Sequence, residues 1–368
     1  LAPVLRADLE SRLTNCSLPT ALECTGSVSG PIFSSKFQVP YSLQYSIGVQ
    51  HELPWNMIAQ VDYNYRKGLH EVNVFDINQA DSVAGPRLGA AFPGPVPYAD
   101  SSAFSVYSGI LARVDKRFSH GFQFTASYAF SSLKAFSTDA LGLAGIPTNL
   151  NNLRADYGPS GLDRRHRFVV SAIWDTPWYK SDSSYWKRNL LGNWTVSLIS
   201  TTFSGLPENV FLADNIDLSG TGTFQTYLPG TTAGSIGRSI HSVGQINDLI
   251  TKYNSSLTPG QTDPFGTPML PLALLPSDTP IGGDWVHSQD VRLTKNINFN
   301  EKYRLQLIGE VFNLFNFANL TNVTDFVIPT ADEAASGGIG TLRPTLRSTS
   351  VFGTGGPRAF QFAARFVF

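Results

Sequence analysis

The sequence predicts an all-β chain: an antiparallel up-and-down transmembrane β-barrel with about nine strands visible, short periplasmic turns and long extracellular loops. Three observations predict it. Apolar and polar residues alternate with a period of two over stretches long enough to cross a bilayer. The connections between those stretches alternate strictly between short and long, the wiring of an outer-membrane barrel. Charged residues make up only 15% of the chain while aromatics reach 12%, 25 of them Phe; soluble domains carry about 25% charged residues.

The strands follow in order. In "YSLQYSIGVQH" (41–51), Tyr41, Leu43, Tyr45, Ile47 and Val49 share one face, and Ser42, Gln44, Ser46, Gly48 and Gln50 the other. In 55–66, Met57, Ala59, Val61, Tyr63 and Tyr65 oppose Asn56, Gln60, Asp62, Asn64 and Arg66. Further strands are predicted at about 104–117, 121–132, 166–176, 193–204, 287–299, 303–314 and 359–368. The 121–132 stretch sets Phe122, Phe124, Ala126, Tyr128 and Phe130 against Gln123, Thr125, Ser127, Ala129 and Ser131. No stretch shows a helical stripe with caps, so helices are not expected.

The links 51–55, 117–121 and 299–303 are tight and 177–192 is moderate. The alternate links, 67–103, 133–165, 205–286 and 315–358, are long. With the short links on the periplasmic side, the ninth strand runs downward and Phe368 lands at the periplasmic rim. Gln44, Asp62, Thr125, Arg304 and Arg365 then face the lumen, and Tyr45, Val61, Phe124, Leu305 and Phe366 face lipid. A basic residue at mid-depth on the lipid face costs about 2–4 kcal/mol, and the strands avoid it, with Lys295 the one exception, near a strand end where its long stem can snorkel. A secreted β-sandwich would also alternate; long strands, alternating link lengths and strand-end aromatics favour the barrel.

Composition excludes other classes. A net charge of −1 offers no bulk field for nucleic acid. No run of about 18 apolar residues predicts a membrane-crossing helix. The chain begins at Leu1 and reads as a mature or truncated product. Residues 1–38 read as an N-terminal extracellular-loop-like segment in which Cys16 and Cys24 would close a small loop in an oxidising compartment; residues 39–368 read as the barrel segment. The six histidines show no metal-ligand spacing, and no Gly-x-Ser-x-Gly elbow occurs. No catalytic residue, metal or cofactor is predicted, and the protein is not expected to be an enzyme.

Several stretches resemble the C-terminal barrel portion of TonB-dependent outer-membrane receptors, most closely the Oar-like group that carries a carboxypeptidase-regulatory-like domain. They are "VPYSLQYSIGVQHELPWNMIAQVDYNYRKG" (39–68), "LARVDKRFSHGFQFTASYAFS" (111–131), "NNLRADYGPSGLDRRHRFVVSAIWDTP" (151–177), "LLGNWTVSLISTTFSGLP" (190–207), "RLQLIGEVFNLFNFANL" (304–320) and the terminal strand. The resemblance implies nutrient uptake across a Gram-negative outer membrane through a barrel of about 22 strands around a plug, of which this chain would be the C-terminal part. The partners it implies are outer-membrane lipid and lipopolysaccharide, the barrel-assembly machinery, and TonB acting through a plug domain outside this chain. A surface-binding, adhesion or porin-like barrel without TonB-driven transport is the alternative.

Three groups of residues stand out. "DRRHRF" (163–168) gathers Asp163, Arg164, Arg165, His166 and Arg167 where the fifth strand begins. It could form a rim or upper-lumen site for an anionic ligand, but the favoured reading is a lumen ion-pair network with Asp156 or contact with lipopolysaccharide phosphates, because charge clusters are more often structural. The chain ends "AFQFAARFVF", with Phe360, Phe362, Phe366 and Phe368 on one face; the resemblance makes this the signal that the assembly machinery reads. Asn313, Asn316 and Asn319, just past a strand top, read as turn formers.

Overall fold

Nine long strands are neighbours in space in the order in which they occur in the chain. The computed structural model describes residues 31–77, 96–136, 147–212, 216–220, 226–279, 281, 285–299, 302–322, 326–335, 345–346 and 355–368. The strands are β1 (Tyr41–Leu53), β2 (Met57–Asp76), β3 (Pro97–Ser119), β4 (Phe122–Ala135), β5 (His166–Asp175), β6 (Trp194–Phe203), β7 (Val286–Asn298), β8 (Arg304–Phe312) and β9 (Ala359–Val367). Every adjacent pair is antiparallel. All nine strands expected from the two-residue period are present. Among the described residues the sheet is open, since β1 and β9 are its two ends and pair with no further long strand. Cys16 and Cys24 lie outside the described residues.

The tight turns are set by local chemistry. A type I′ hairpin turn, which follows strand twist, has positive φ at both central positions, and His120 and Gly121 have φ of 52° and 77° between β3 and β4. Trp55 and Asn56, at 63° and 59°, turn β1 into β2. The β5–β6 link carries a short helix, α1 (Tyr185–Leu190). These turns and the end of β9 are at one edge of the sheet: Arg304 pairs with Val367, and Tyr303 stacks on Phe366 at 5.9 Å.

The register sorts the side chains into two faces. On one, Gln44 lies opposite Arg66, Asp115 opposite Thr125, Thr125 opposite Ser171, Arg292 opposite Glu310, and Gln306 opposite Arg365. On the other, Tyr45 lies opposite Tyr65, Val61 opposite Ala112, Phe124 opposite Ala172, and Leu305 opposite Phe366. The inward set Gln44, Asp62, Thr125, Arg304 and Arg365 and the outward set Tyr45, Val61, Phe124, Leu305 and Phe366 therefore fall on opposite faces, as expected. The polar face overlies a hollow of about 740 Å³, lined in part by Thr125, Ser171, Ser197, Arg292, Glu310 and Gln361. Some of its charges are paired: Arg113 Nε reaches Asp115 Oδ2 at 2.7 Å, Thr125 donates to Asp115 at 2.7 Å, and Arg292 meets Glu310.

The apolar face carries aromatics at both ends, with Phe130 and Trp285 around His166 at the long-link end. Trp174 and Trp178 meet edge to face at 5.3 Å near the short turns, and Tyr185 and Trp186 at 5.6 Å follow in α1. Such girdles sit at headgroup level. Lys295 shares this face but is buried: its ammonium donates to the Gly192 carbonyl of the short-turn side and lies 4.9 Å from the Trp194 ring centre. It is not the sole cation on this face. Lys67 lies opposite Leu43, Lys116 opposite Phe124 and Lys134 opposite Val106, each toward one end of the span, where water and headgroups are within reach of the stem.

Two features of the long-link side differ from expectation. First, β2 and β3 continue to Asp76 and from Pro97, well into the stretch 67–103 read as a loop. Their tops pack rather than fray: Phe75, Tyr98, Phe136, Leu150 and Leu153 form a buried cluster. Second, a helix is present where none was expected. In α2 (Val243–Ser256), Ser242 and Gln245 form a reciprocal capping box, and Ile246, Ile250 and Tyr253 bury one face. With Val210, Leu212, Leu228, Ile236 and Ile328 these residues form a second buried cluster. The parallel pairing of Val210–Leu212 with Phe326–Ile328 joins the two longest links.

Candidate functional site

The site to consider is at the rim, where β5 and β6 meet the folded loop unit. Asp163 is fully buried just before β5, and its carboxylate accepts from the Leu133 amide at 2.7 Å and from Arg238 Nε at 2.6 Å. Arg238 Nη2 also donates to the Asp163 carbonyl at 2.6 Å. Arg238 belongs to the loop unit, so this buried pair fastens that unit to the sheet. Removing one partner of such a pair strands a buried charge.

The Arg–His run is divided by its own geometry. Arg167 lies within β5, opposite Ala129 and Phe203, on the polar face. Arg164 donates to the Ser204 carbonyl at 2.7 Å and sits 4.6 Å from the Phe203 ring centre. Arg165 and His166 instead line a rim cavity of about 470 Å³ with Ser204, Arg238, His241 and Trp285. Arg165 approaches Asp163 at 3.6 Å, and its Nε is buried with no hydrogen-bond partner. His166 Nδ1 bonds the Tyr128 hydroxyl at 2.8 Å, and its ring stacks on Trp285 at 5.5 Å. Trp285 continues to His287, and His287 to Phe317. The run of consecutive residues was visible in the sequence. Arg238, His241 and Trp285 were not, because nothing local connects residues so far away with 163–168; the weak signal was that cations and aromatics recur where strands end.

Asp156 supports the neighbouring wall rather than this cavity. It accepts from the Thr148 hydroxyl at 2.6 Å and the Thr148 amide at 3.1 Å. Burial pushes its carboxyl up from the ordinary range, offset in part by those hydrogen bonds. Burial likewise raises the Tyr253 phenol in the loop unit. Among the described residues, no group of three or more His, Cys, Asp or Glu is placed to hold a metal ion.

The asparagines past β8 do the work of turns. Asn313 and Asn316 have φ of 48° and 55°. Asn313 is fully buried, donates to the Phe317 and Gly356 carbonyls and accepts from the Phe317 amide. Asn319 bridges the His287 backbone and the Gly355 carbonyl. They fasten the start of β9 to the tops of β7 and β8. Along β9, Phe360, Phe362 and Phe366 lie opposite Val311, Gly309 and Leu305. They and Phe368 are exposed on the apolar face, Phe368 at 91%.

A sheet that alternates so regularly, with one apolar face open to its surroundings and aromatic girdles at both ends, defines a class: the wall of an outer-membrane β-barrel. The chain belongs to the outer membrane beta barrel domain family, whose model matches residues 11–361, and it is a protein of the Gram-negative outer membrane. No curated protein matches its sequence. Among solved structures it is similar to the outer membrane transporter YddB of Escherichia coli at 11% identity, over 93% of this chain and 34% of that one, with a TM-score of 0.43. It is similar also to the FrpB iron transporter of Neisseria meningitidis at 10% identity (92% and 33% covered, TM-score 0.41). The ferric enterobactin receptor PfeA of Pseudomonas aeruginosa follows at 8% identity (89% and 31% covered, TM-score 0.40). The chain spans about a third of the length of these structures.

Proposed function

We propose that the chain is part of the wall of a larger, TonB-dependent outer-membrane receptor of the Oar-like group that takes up a nutrient. The observation that carries this reading is the open sheet: β1 and β9 each leave a strand edge without a long-strand partner among the described residues. Unpaired backbone groups cannot stand in hydrocarbon, so further strands must close the wall. The sequence stretches that resemble those receptors, and the paired charges lining the polar face, support the same reading. TonB would engage a plug held inside the completed barrel, while outer-leaflet lipid, lipopolysaccharide and the folded loops would meet the exterior. The folded loop unit around α2 favours one second reading, a surface binding or adhesion barrel without energised transport. In-cell cross-linking of the complete receptor separates the two. A TonB adduct supports the receptor reading; ligand binding with no adduct supports adhesion.

The aromatic end of β9 is proposed as the signal read by the barrel-assembly machinery. Phe368 is almost wholly exposed, so its deletion removes little packing, yet membrane insertion should fall well below that of Phe130→Ala, an internal substitution on the same face. Equal insertion of the two variants would make Phe368 ordinary lipid-facing surface.

A further inference from the structure

We infer that the rim cavity between Arg165, His166, Arg238, His241 and Trp285 is a binding site for a phosphomonoester. The inference stands apart from transport and rests only on the cavity and its position in the wall.

Three features point to an anion. Arg165 and Arg238 line the cavity, and Arg164 adjoins it through Ser204. One buried carboxylate, Asp163, accompanies these three guanidiniums, and it is shared between Arg238, the Leu133 amide and, at 3.6 Å, Arg165, which leaves the cluster net positive. The Arg165 side chain is 30% exposed where it lines the cavity, and a guanidinium presents its donors in the fork that phosphate oxygens match. His166 and His241, from β5 and the loop unit, add ring nitrogens to the same wall. His166 has Nδ1 committed to Tyr128, which leaves Nε2 for a ligand.

Size and position narrow the class. A cavity of about 470 Å³ exceeds a bare phosphate and suits one attached to a sugar-sized group. The His166–Trp285–His287 stack continues the outward aromatic rim of Tyr128 and Phe130, so the cavity opens at headgroup level. A phosphate there can come from an outer-leaflet lipid headgroup or from a free phosphosugar.

The test uses the complete outer-membrane protein that contains this chain, purified in detergent. Titration calorimetry is run with glucosamine 1-phosphate against glucosamine, and with phosphorylated lipid A in mixed micelles against its dephosphorylated form. At least one phosphorylated probe should bind while its control does not. Arg165→Gln and His241→Gln, which leave the Arg238–Asp163 clasp in place, should each weaken that binding about tenfold with the melting curve unchanged. Binding by both phosphorylated probes supports a site open to free ligand; binding by lipid A alone supports a lipid headgroup site. Absence of binding by either phosphorylated probe, equal binding by the controls, or unchanged affinity in both variants overturns the inference.

Discussion

The membrane sheet and the loop unit around α2 bury apolar surface in opposite ways. In the sheet, large apolar side chains stand exposed on one face: Ile47 at 73%, Phe362 at 81%. In the loop unit Leu212, Ile236, Ile246 and Ile250 are fully buried against one another. One region relies on lipid as its apolar surroundings and the other makes its own core in water. Exposed apolar area is therefore informative only beside the pattern that carries it. Exposure concentrated at alternate positions of long strands, with Leu111 and Ile199 as exceptions on the polar face, marks a membrane wall, whereas the same residues in the loop unit would mark a failure to fold.

The largest expected effect falls on the loop unit. Ile250→Ala removes methylenes from a fully buried position and should cost that unit about 2–5 kcal/mol. Proteolysis of intact cells should then cut between 204 and 285, while heat-modifiability of the barrel stays unchanged; loss of the barrel as well would show that the two regions fold as one. Next comes a neighbouring pair on β3. Ile110 lies on the apolar face, opposite Tyr63, and Leu111 on the polar face, opposite Asp62. Ile110→Arg should cost about 2–4 kcal/mol and Leu111→Arg close to nothing, measured as membrane-inserted fraction or by unfolding in lipid vesicles. Ser242→Ala removes the cap of α2 and should weaken the loop unit by about 1 kcal/mol, read as faster local hydrogen exchange.

The smallest effect concerns pH. The Asp156 carboxyl has a raised value in the folded protein, so the folded state holds that proton more tightly than the unfolded state does. Its contribution is full below the ordinary carboxylate value and is lost as pH rises through the raised one. Rim loops should therefore resist proteolysis better at mildly acidic pH, and Asp156→Asn should flatten that slope.

The wall was legible because a period of two leaves a mark at every residue, and a slip of one would have inverted the entire face assignment. The positions of Asp62, Thr125 and Arg365 followed from that alone. The loop unit was harder. Its helix does carry local marks, Ser242 with Gln245 and Ile246, Ile250 and Tyr253 along one face, but they lie within a Gly- and Pro-rich stretch that reads as loop. The tops of β2 and β3 were missed because their strand pattern becomes irregular at the register shifts between Gly68, Glu71 and Asn73. At the rim, 163–168 was visible as a charged run. Its partner Arg238 and its neighbours His241 and Trp285 come from distant chain segments, and only tertiary structure brings them together.

One face of the sheet meets lipid and the other meets water. Spin labels placed singly at Gln44, Tyr45, Val61, Asp62, Phe124 and Thr125 in the protein in lipid bilayers test it most directly, through accessibility to oxygen, which concentrates in the bilayer, and to a water-soluble nickel chelate. Labels at Tyr45, Val61 and Phe124 should favour oxygen, and labels at Gln44, Asp62 and Thr125 should favour nickel. Alternation in the reverse sense, or the same response from neighbouring positions, would contradict the account.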